Sequence, residues 1–270
     1  ATAAIQFLLV GCGSSPNAPA EACEVDAEQR TKSCTFRKGE YVKVKEASDL
    51  EAFCATKCKH APKTYIGNVE GLENLEALAG FVSFKDLTLL RNPDLRSLKG
   101  LQELRRVRHL SIEHNAELES LKELRSLDRL EGDLKLKGND KLETLEGLGD
   151  LEQAGSFQIQ SNQQLRSVAA LNEIEVSSSR LVIKINNNPK LETIDGFNEF
   201  ESMIGGLRIS GNDNLRSIEG FQNLKSAGFI YAKNNPKLPR CEIQRVVDQI
   251  EDKDLDVRIT GNGTGDCGGS

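Results

Sequence analysis

Chemistry in this chain has to come from few residue types: three histidines, seven cysteines and an uneven scatter of lysine and arginine. His109 and His114 lie on either side of Glu113, types that serve general acid/base work or metal ligation. No other residue is tied to them by spacing. The chain also has no nucleophile elbow, phosphate-cradling glycine loop, His-Glu-x-x-His pair or calcium loop, so a hydrolase site at His109, Glu113 and His114 is the lesser expectation. An enzyme is not expected, and no cofactor or resident metal either. One further set competes for zinc: Cys54, Cys58 and His60 with Cys34 supply four plausible ligands.

The cysteines are better understood from the start of the chain. Residues 1–10 are apolar and run into Leu9-Val10-Gly11-Cys12. That tetrapeptide resembles a bacterial lipobox, in which the cysteine carries diacylglycerol and becomes the N-terminus after cleavage; the competing reading is an ordinary signal peptide with a chance cysteine. No basic stretch or Met precedes it, so the first residues of the natural chain are expected to be missing. Residues 13–22 read as a flexible tether spanning about 17 Å. Gly13 is not the aspartate that resembles an inner-membrane retention signal, which favours the outer membrane of a bacterial envelope.

An odd number of cysteines is awkward in an exported protein. Setting Cys12 aside for the lipid leaves Cys23, Cys34, Cys54 and Cys58 near the start and Cys241 and Cys267 near the end. Export favours disulfides over zinc. Cys54 and Cys58, four apart on a helix, fit each other poorly and are expected to reach back to Cys23 or Cys34, with Cys23–Cys34 closure left open. The net charge of −6 and pI of about 5.4 argue against nucleic acid. No apolar run is long enough to span a bilayer, so membrane contact is expected through the lipid alone.

What must position these residues is a repeat. Asparagines recur at Asn92, Asn115, Asn139, Asn162, Asn188, Asn212 and Asn235, at intervals of 23, 24, 23, 26, 24 and 23 residues. Apolar residues stand five and three positions before each one, as at Leu207 and Ile209 before Asn212. A spacing of two places both on one face of a strand. Another apolar residue follows three positions later, at Leu95, Leu118, Leu142, Leu165, Leu191, Leu215 and Leu238, and glycines at 100, 147, 196 and 220 mark a turn. Stacked repeats bury these residues against one another, and the asparagines are expected to satisfy buried turns. Tyr65–Leu72 matches only the second half of the template.

Ahead of the repeats, Tyr41–Val44 reads as a strand, and Ser48 as the N-cap of a helix running through Cys54 and Cys58. Behind them, residues 242–252 read as an amphipathic helix. Leu255, Val257 and Ile259 alternate as a strand, Asn262 makes an eighth rung, and Cys267 is expected to pair with Cys241.

Together these features resemble a leucine-rich-repeat solenoid of the receptor L-domain type, found in growth-factor receptors and bacterial surface lipoproteins. The resemblance covers about residues 41–267. One extra residue between Asn and Leu, as in Asn92-Pro93-Asp94-Leu95, departs from the ordinary leucine-rich repeat and favours the L-domain subtype. It implies a mainly β chain with few helices: a right-handed solenoid with a parallel sheet, disulfide-capped at both ends. The expected division is a signal segment at 1–12, tether at 13–22, cysteine-rich cap at 23–63, repeats at 64–238 and C-terminal cap at 239–270. The resemblance also implies recognition of a partner rather than catalysis. Residues two and four before each asparagine face solvent; among them Lys135, Lys137, Lys184, Arg208, Tyr231 and Lys233 make a locally basic face suited to an acidic protein or anionic glycan. The competing reading is a solvated sheet whose lysines discourage sticking. A second row, Arg96–Glu119, Glu143–Arg166 and Glu192–Arg216, is expected to stack as ion pairs.

Overall fold

A computed structural model describes residues 41–54, 59–176 and 181–265. The chain is mainly β, built on one parallel sheet with two α-helices among the described residues. The strands are β1 (Tyr41–Val44), β2 (His60–Gly67), β3 (Ser83–Leu90), β4 (Arg106–Glu113), β5 (Arg129–Leu130), β6 (Leu134–Lys137) and β7 (Gln153–Ala154). They continue with β8 (Phe157–Gln160), β9 (Glu175–Val176), β10 (Val182–Asn186), β11 (Ser202–Ser210), β12 (Ser226–Lys233) and β13 (Asp256–Thr260). Helices α1 (Ala47–Cys54) and α2 (Arg240–Asp248) stand near the two ends. The order β1-β2-β3-β4-β6-β8-β10-β11-β12-β13 follows the sequence, while β5, β7 and β9 form a short side row beginning at β4. Each repeat therefore adds one strand beside the last.

Register follows the core. Leu87, Leu110, Leu134, Phe157, Ile183, Leu207 and Ile230 are paired neighbours across the sheet, as are Leu89, Ile112, Leu136, Ile159, Ile185, Ile209 and Ala232. All are buried. A side chain of this size gains about 1.5–3 kcal/mol on leaving water, and a one-residue slip would turn every strand's set outward. Phe157, Phe197, Phe200 and Phe221 fill the centre, with centroids 5.1 Å apart for Phe157–Phe197 and 5.5 Å for Phe197–Phe221.

The asparagines form a continuous ladder. Asn92 through Asn235 are fully buried at every repeat. Each Oδ1 accepts the preceding rung's backbone N–H at 3.0–3.2 Å, and each Nδ2 donates to a strand carbonyl of the preceding repeat, as Asn139 does to Ile112 at 2.9 Å. One amide thus satisfies a donor and an acceptor that water cannot reach, each of which would cost about 1–3 kcal/mol unpaired. Asn262 is the eighth rung, its Oδ1 accepting from Asn235 N at 3.2 Å. The residue before every rung is left-handed, from Arg91 at φ 54° to Gly211 at 66°, which accounts for the Gly-Asn pairs.

Several boundaries differ from expectation. The segment Tyr65–Leu72 is preceded by the rest of a full strand, β2, which ends at Gly67: Thr64 and Ile66 take its two core positions, and Val69 stands where a rung would be, its N–H bonded to Asn92 Oδ1. Ser48 is not the cap of α1. It lies inside the first turn, and Asp49 beside it reaches back, its Oδ2 accepting from Lys45 and Glu46 N–H at 2.8 and 3.2 Å, the reciprocal half of a capping box. Helix α2 stops at Asp248, short of 252, because Gln249 turns to donate to the Phe221 and Leu224 carbonyls and Glu251 N–H to that of Lys225. The row of expected ion pairs stacks through the backbone, as in Arg216 N–H to the Glu192 carbonyl at 2.8 Å, yet no side-chain pair closes between its members among the described residues. Glutamates of other positions take that role, as in Lys141–Glu117.

The glycine at each turn is set by close approach. A Cβ on Gly100, whose φ is 113°, would sit 1.8 Å from the Leu75 carbonyl oxygen. Glu123 occupies the equivalent position of its repeat, buried, with Oε1 accepting from Ser97 Oγ at 3.0 Å. The expectations placed on Cys12, Cys23, Cys34, Cys58 and Cys267, the signal segment and the tether lie outside the described residues.

Candidate functional site

The solvent side of the sheet carries three rows of side chains, because alternate strand residues point outward and neighbouring strands are about 4.8 Å apart. Four residues before the rungs run Thr88, Ser111, Lys135, Gln158, Lys184, Arg208, Tyr231 and Arg258. Two before them run Leu90, Glu113, Lys137, Gln160, Asn186, Ser210, Lys233 and Thr260. A third row lies towards the strand starts, with Lys63, Asp86 and His109 at one end and Gly206, Phe229 and Asp256 at the other. All six predicted face residues, Lys135, Lys137, Lys184, Arg208, Tyr231 and Lys233, are on this side.

They do not share one environment. On β2 to β6 three cations are paired with carboxylates, while Lys137 of β6 closes no ion pair among the described residues. Arg108 grips Asp86 with both Nε and Nη2 at 3.0 Å, and Lys63 reaches the same carboxylate at 3.0 Å. Lys135 pairs with Glu113 at 3.1 Å, and Ser111 Oγ donates to that carboxylate at 2.6 Å. Burial works to raise both carboxyls, but the hydrogen bonds and charges of Arg108 and Lys63 hold Asp86 below its ordinary value. Glu113 is lowered likewise by Ser111, Lys135 and Lys137.

On β10 to β12 the pattern changes. Lys184, Arg208 and Lys233 have no carboxylate partner among the described residues. Arg208 instead lies over two rings, its Cζ 5.9 Å from the Phe229 centroid and 5.4 Å from that of Tyr231. The two rings are tilted, with centroids 4.7 Å apart. Arg258 covers Tyr231 at 4.8 Å and binds Asp256 at 2.9 Å, and Tyr231 donates its hydroxyl to Asp256 at 2.5 Å. That hydrogen bond raises the Tyr231 hydroxyl, while Arg258 and then Tyr231 lower Asp256. The sequence missed Arg258 and Asp256, although the strand it read at Leu255–Ile259 placed both on this side.

The histidines do not converge. His109 and Glu113 lie on one face of β4 but about 13 Å apart along it. His109 Nδ1 accepts the Asp133 N–H at 3.0 Å, and His114 is the left-handed residue before the Asn115 rung, at φ 56°. No group of three metal-ligating side chains occurs among the described residues. Away from the strands, Lys122, Arg125, Glu146 and Asp150 line a shallow cleft of mixed charge. No helix among the described residues is long and apolar enough to cross a membrane. No protein-family profile matches the chain, and no curated protein or solved structure matches it.

Proposed function

We propose that this chain is a binding or adhesion lipoprotein of a bacterial envelope, held at the outer membrane by lipid on Cys12, that recognises a protein or anionic glycan through the open face of its sheet. The observation that carries this reading is the set of three cations, Lys184, Arg208 and Lys233, left without acid partners beside an aromatic pair, in a chain of net charge −6. A sheet that only needed solubility would gain as much from the paired arrangement on β3 to β6. Sequential strand order, constant register and the asparagine ladder support a leucine-rich-repeat solenoid of the L-domain type. Its C-terminal closure would be a Cys241–Cys267 disulfide: Cys241 Sγ lies 3.5 Å from the carbonyl oxygen of Gly265, two residues before Cys267.

Retention of the purified protein on heparin and on polyglutamate supports, measured at physiological salt, tests the face. Wild type is expected to be held by at least one support and the Lys184→Glu, Arg208→Glu, Lys233→Glu triple variant to elute with the void. Equal retention of both proteins would remove the face as a binding surface and leave a lipid-anchored spacer. The anchor is tested by metabolic labelling with a palmitate analogue, where Cys12→Ala is expected to lose the label; a variant that still labels would sink it.

A further inference from the structure

Beside the three cations lies a feature that charge does not explain. Ile204 is 65 % exposed, well above Val257 at 37 %, the other large apolar side chain exposed among the described residues. It sits at the start of an irregularity in which the β11–β12 register shifts between Met203 and Gly206, so that two residues, Ile204 and Gly205, stand opposite Gly228. Its neighbours have no side chains. A Cβ on Gly205 would lie 2.0 Å from the Leu181 carbonyl oxygen, one on Gly206 2.7 Å from Phe229 Cγ, and one on Gly228 2.5 Å from the Ile204 carbonyl oxygen. Gly206 is also the register partner of Val182 and of Phe229. The result is a rim in which β10, β11 and β12 pack closely at these glycines, the Phe229 ring lies against the buried Gly206, Ile204 stands exposed at the strand start, and Arg208 lies over the Phe229 ring with Lys184 as its register neighbour.

The glycines are required by backbone contact, but nothing in the fold requires isoleucine at 204. We infer that this rim of β10 to β12 is a protein-docking patch. Ile204 and Phe229 are its anchors, and Arg208 and Lys184 receive carboxylates flanking an apolar side chain of the partner. This rests on the sheet face being a binding surface. A protein fits better than a glycan because the polar groups near the rings are already used. The Tyr231 hydroxyl and the Arg258 guanidinium are both on Asp256, and Ser210 Oγ is on Asn186 Oδ1 at 2.8 Å. Sugar hydroxyls would find few free partners, whereas an acidic polypeptide with an apolar residue finds both anchors and unpaired cations. Arginine and large aromatics flanked by an apolar contact are the composition of interface hot spots.

Selection of a random peptide display library on the full chain tests this. Enriched peptides are expected to combine Asp or Glu with Leu, Ile or Phe, and the best of them, remade synthetically, to bind about tenfold or more weakly to Ile204→Ser and to Arg208→Glu. Lys63→Gln, at the other end of the sheet, is expected to change binding less than twofold. Ile204 is exposed, so Ile204→Ser is expected to keep the fold. No enrichment, or peptides bound equally by Ile204→Ser, would overturn the inference. So would heparin binding that Arg208→Glu abolishes and Ile204→Ser leaves intact; that result preserves the broader reading of the face and assigns it to a glycan.

Discussion

The two ends of one sheet face use the same residue types to opposite effect. On β2 to β6, Lys63, Arg108 and Lys135 close on Asp86 and Glu113, and their charge is partly offset, with Lys137 left over. On β10 to β12, Lys184, Arg208 and Lys233 keep their charge, with rings in place of carboxylates around Arg208. The difference arises in the row towards the strand starts. Asp86 stands there on β3 between Lys63 and Arg108, whereas β11 and β12 offer Gly206 and Phe229. Positive charge on a surface is therefore not equivalent to positive charge available to a partner: at the first end a ligand would have to break the ion pairs of Lys63, Arg108 and Lys135, and at the second it would not.

Three measurements would break or sharpen this contrast. The largest effect belongs to the rung between the two ends. Asn162→Leu would leave Asn139 N–H and the Leu136 carbonyl without partners, with an expected loss of about 3 kcal/mol or more. Urea unfolding followed by circular dichroism reads it, and a loss below about 1 kcal/mol would mean that the ladder contributes little and the ends stand independently. A smaller effect is expected at the paired end, where Asp86→Ala strands Arg108 and Lys63 at a cost of about 1–2 kcal/mol; Lys184→Ala should stay within about 0.5 kcal/mol. Equal losses for the two would erase the contrast.

The smallest effect is in pH dependence. Asp86 and Glu113 are held below their ordinary values, so around and below about pH 4 the unfolded chain binds more protons than the folded one. Their contribution is complete above that range and is lost as pH falls through the lowered folded values. Asp86→Asn with Glu113→Gln should flatten the fall in stability between about pH 5 and pH 3. Lys184→Gln should not.

Much of the architecture was legible because it repeats. Core pairs such as Leu207 and Ile209, the rungs and the eighth rung at Asn262 follow from spacing alone, since every repeat buries the same positions. What broke the template was hidden. Val69 does a rung's place-holding without its side-chain chemistry, and Thr64 replaces an apolar residue in β2, so the repeat that begins with β2 read as half a repeat. The expected Arg–Glu row failed because shared backbone register does not make two exposed side chains meet. The six face residues were placed on the correct side from alternation, yet their pairing depends on neighbours about 22–25 residues away, such as Asp86 to Arg108 and Tyr231 to Asp256. Ile204 could not be recognised as exposed, because the bulge that turns it outward interrupts the alternation from which exposure is read.

The ladder also has a bearing on how such a chain can change length. From strand core to rung the count is constant, five and three residues, while from rung to rung it runs 23, 24, 23, 26, 24, 23 and 27. The variation falls between one rung and the next core pair, in places as an extra residue within the sheet, as at Ile204–Gly205 of β11. An added residue there leaves the rows two and four positions before each rung in fixed spacing, strand by strand, so the segment between a rung and the next core pair can change length without re-aiming the outward side chains of the strand ends.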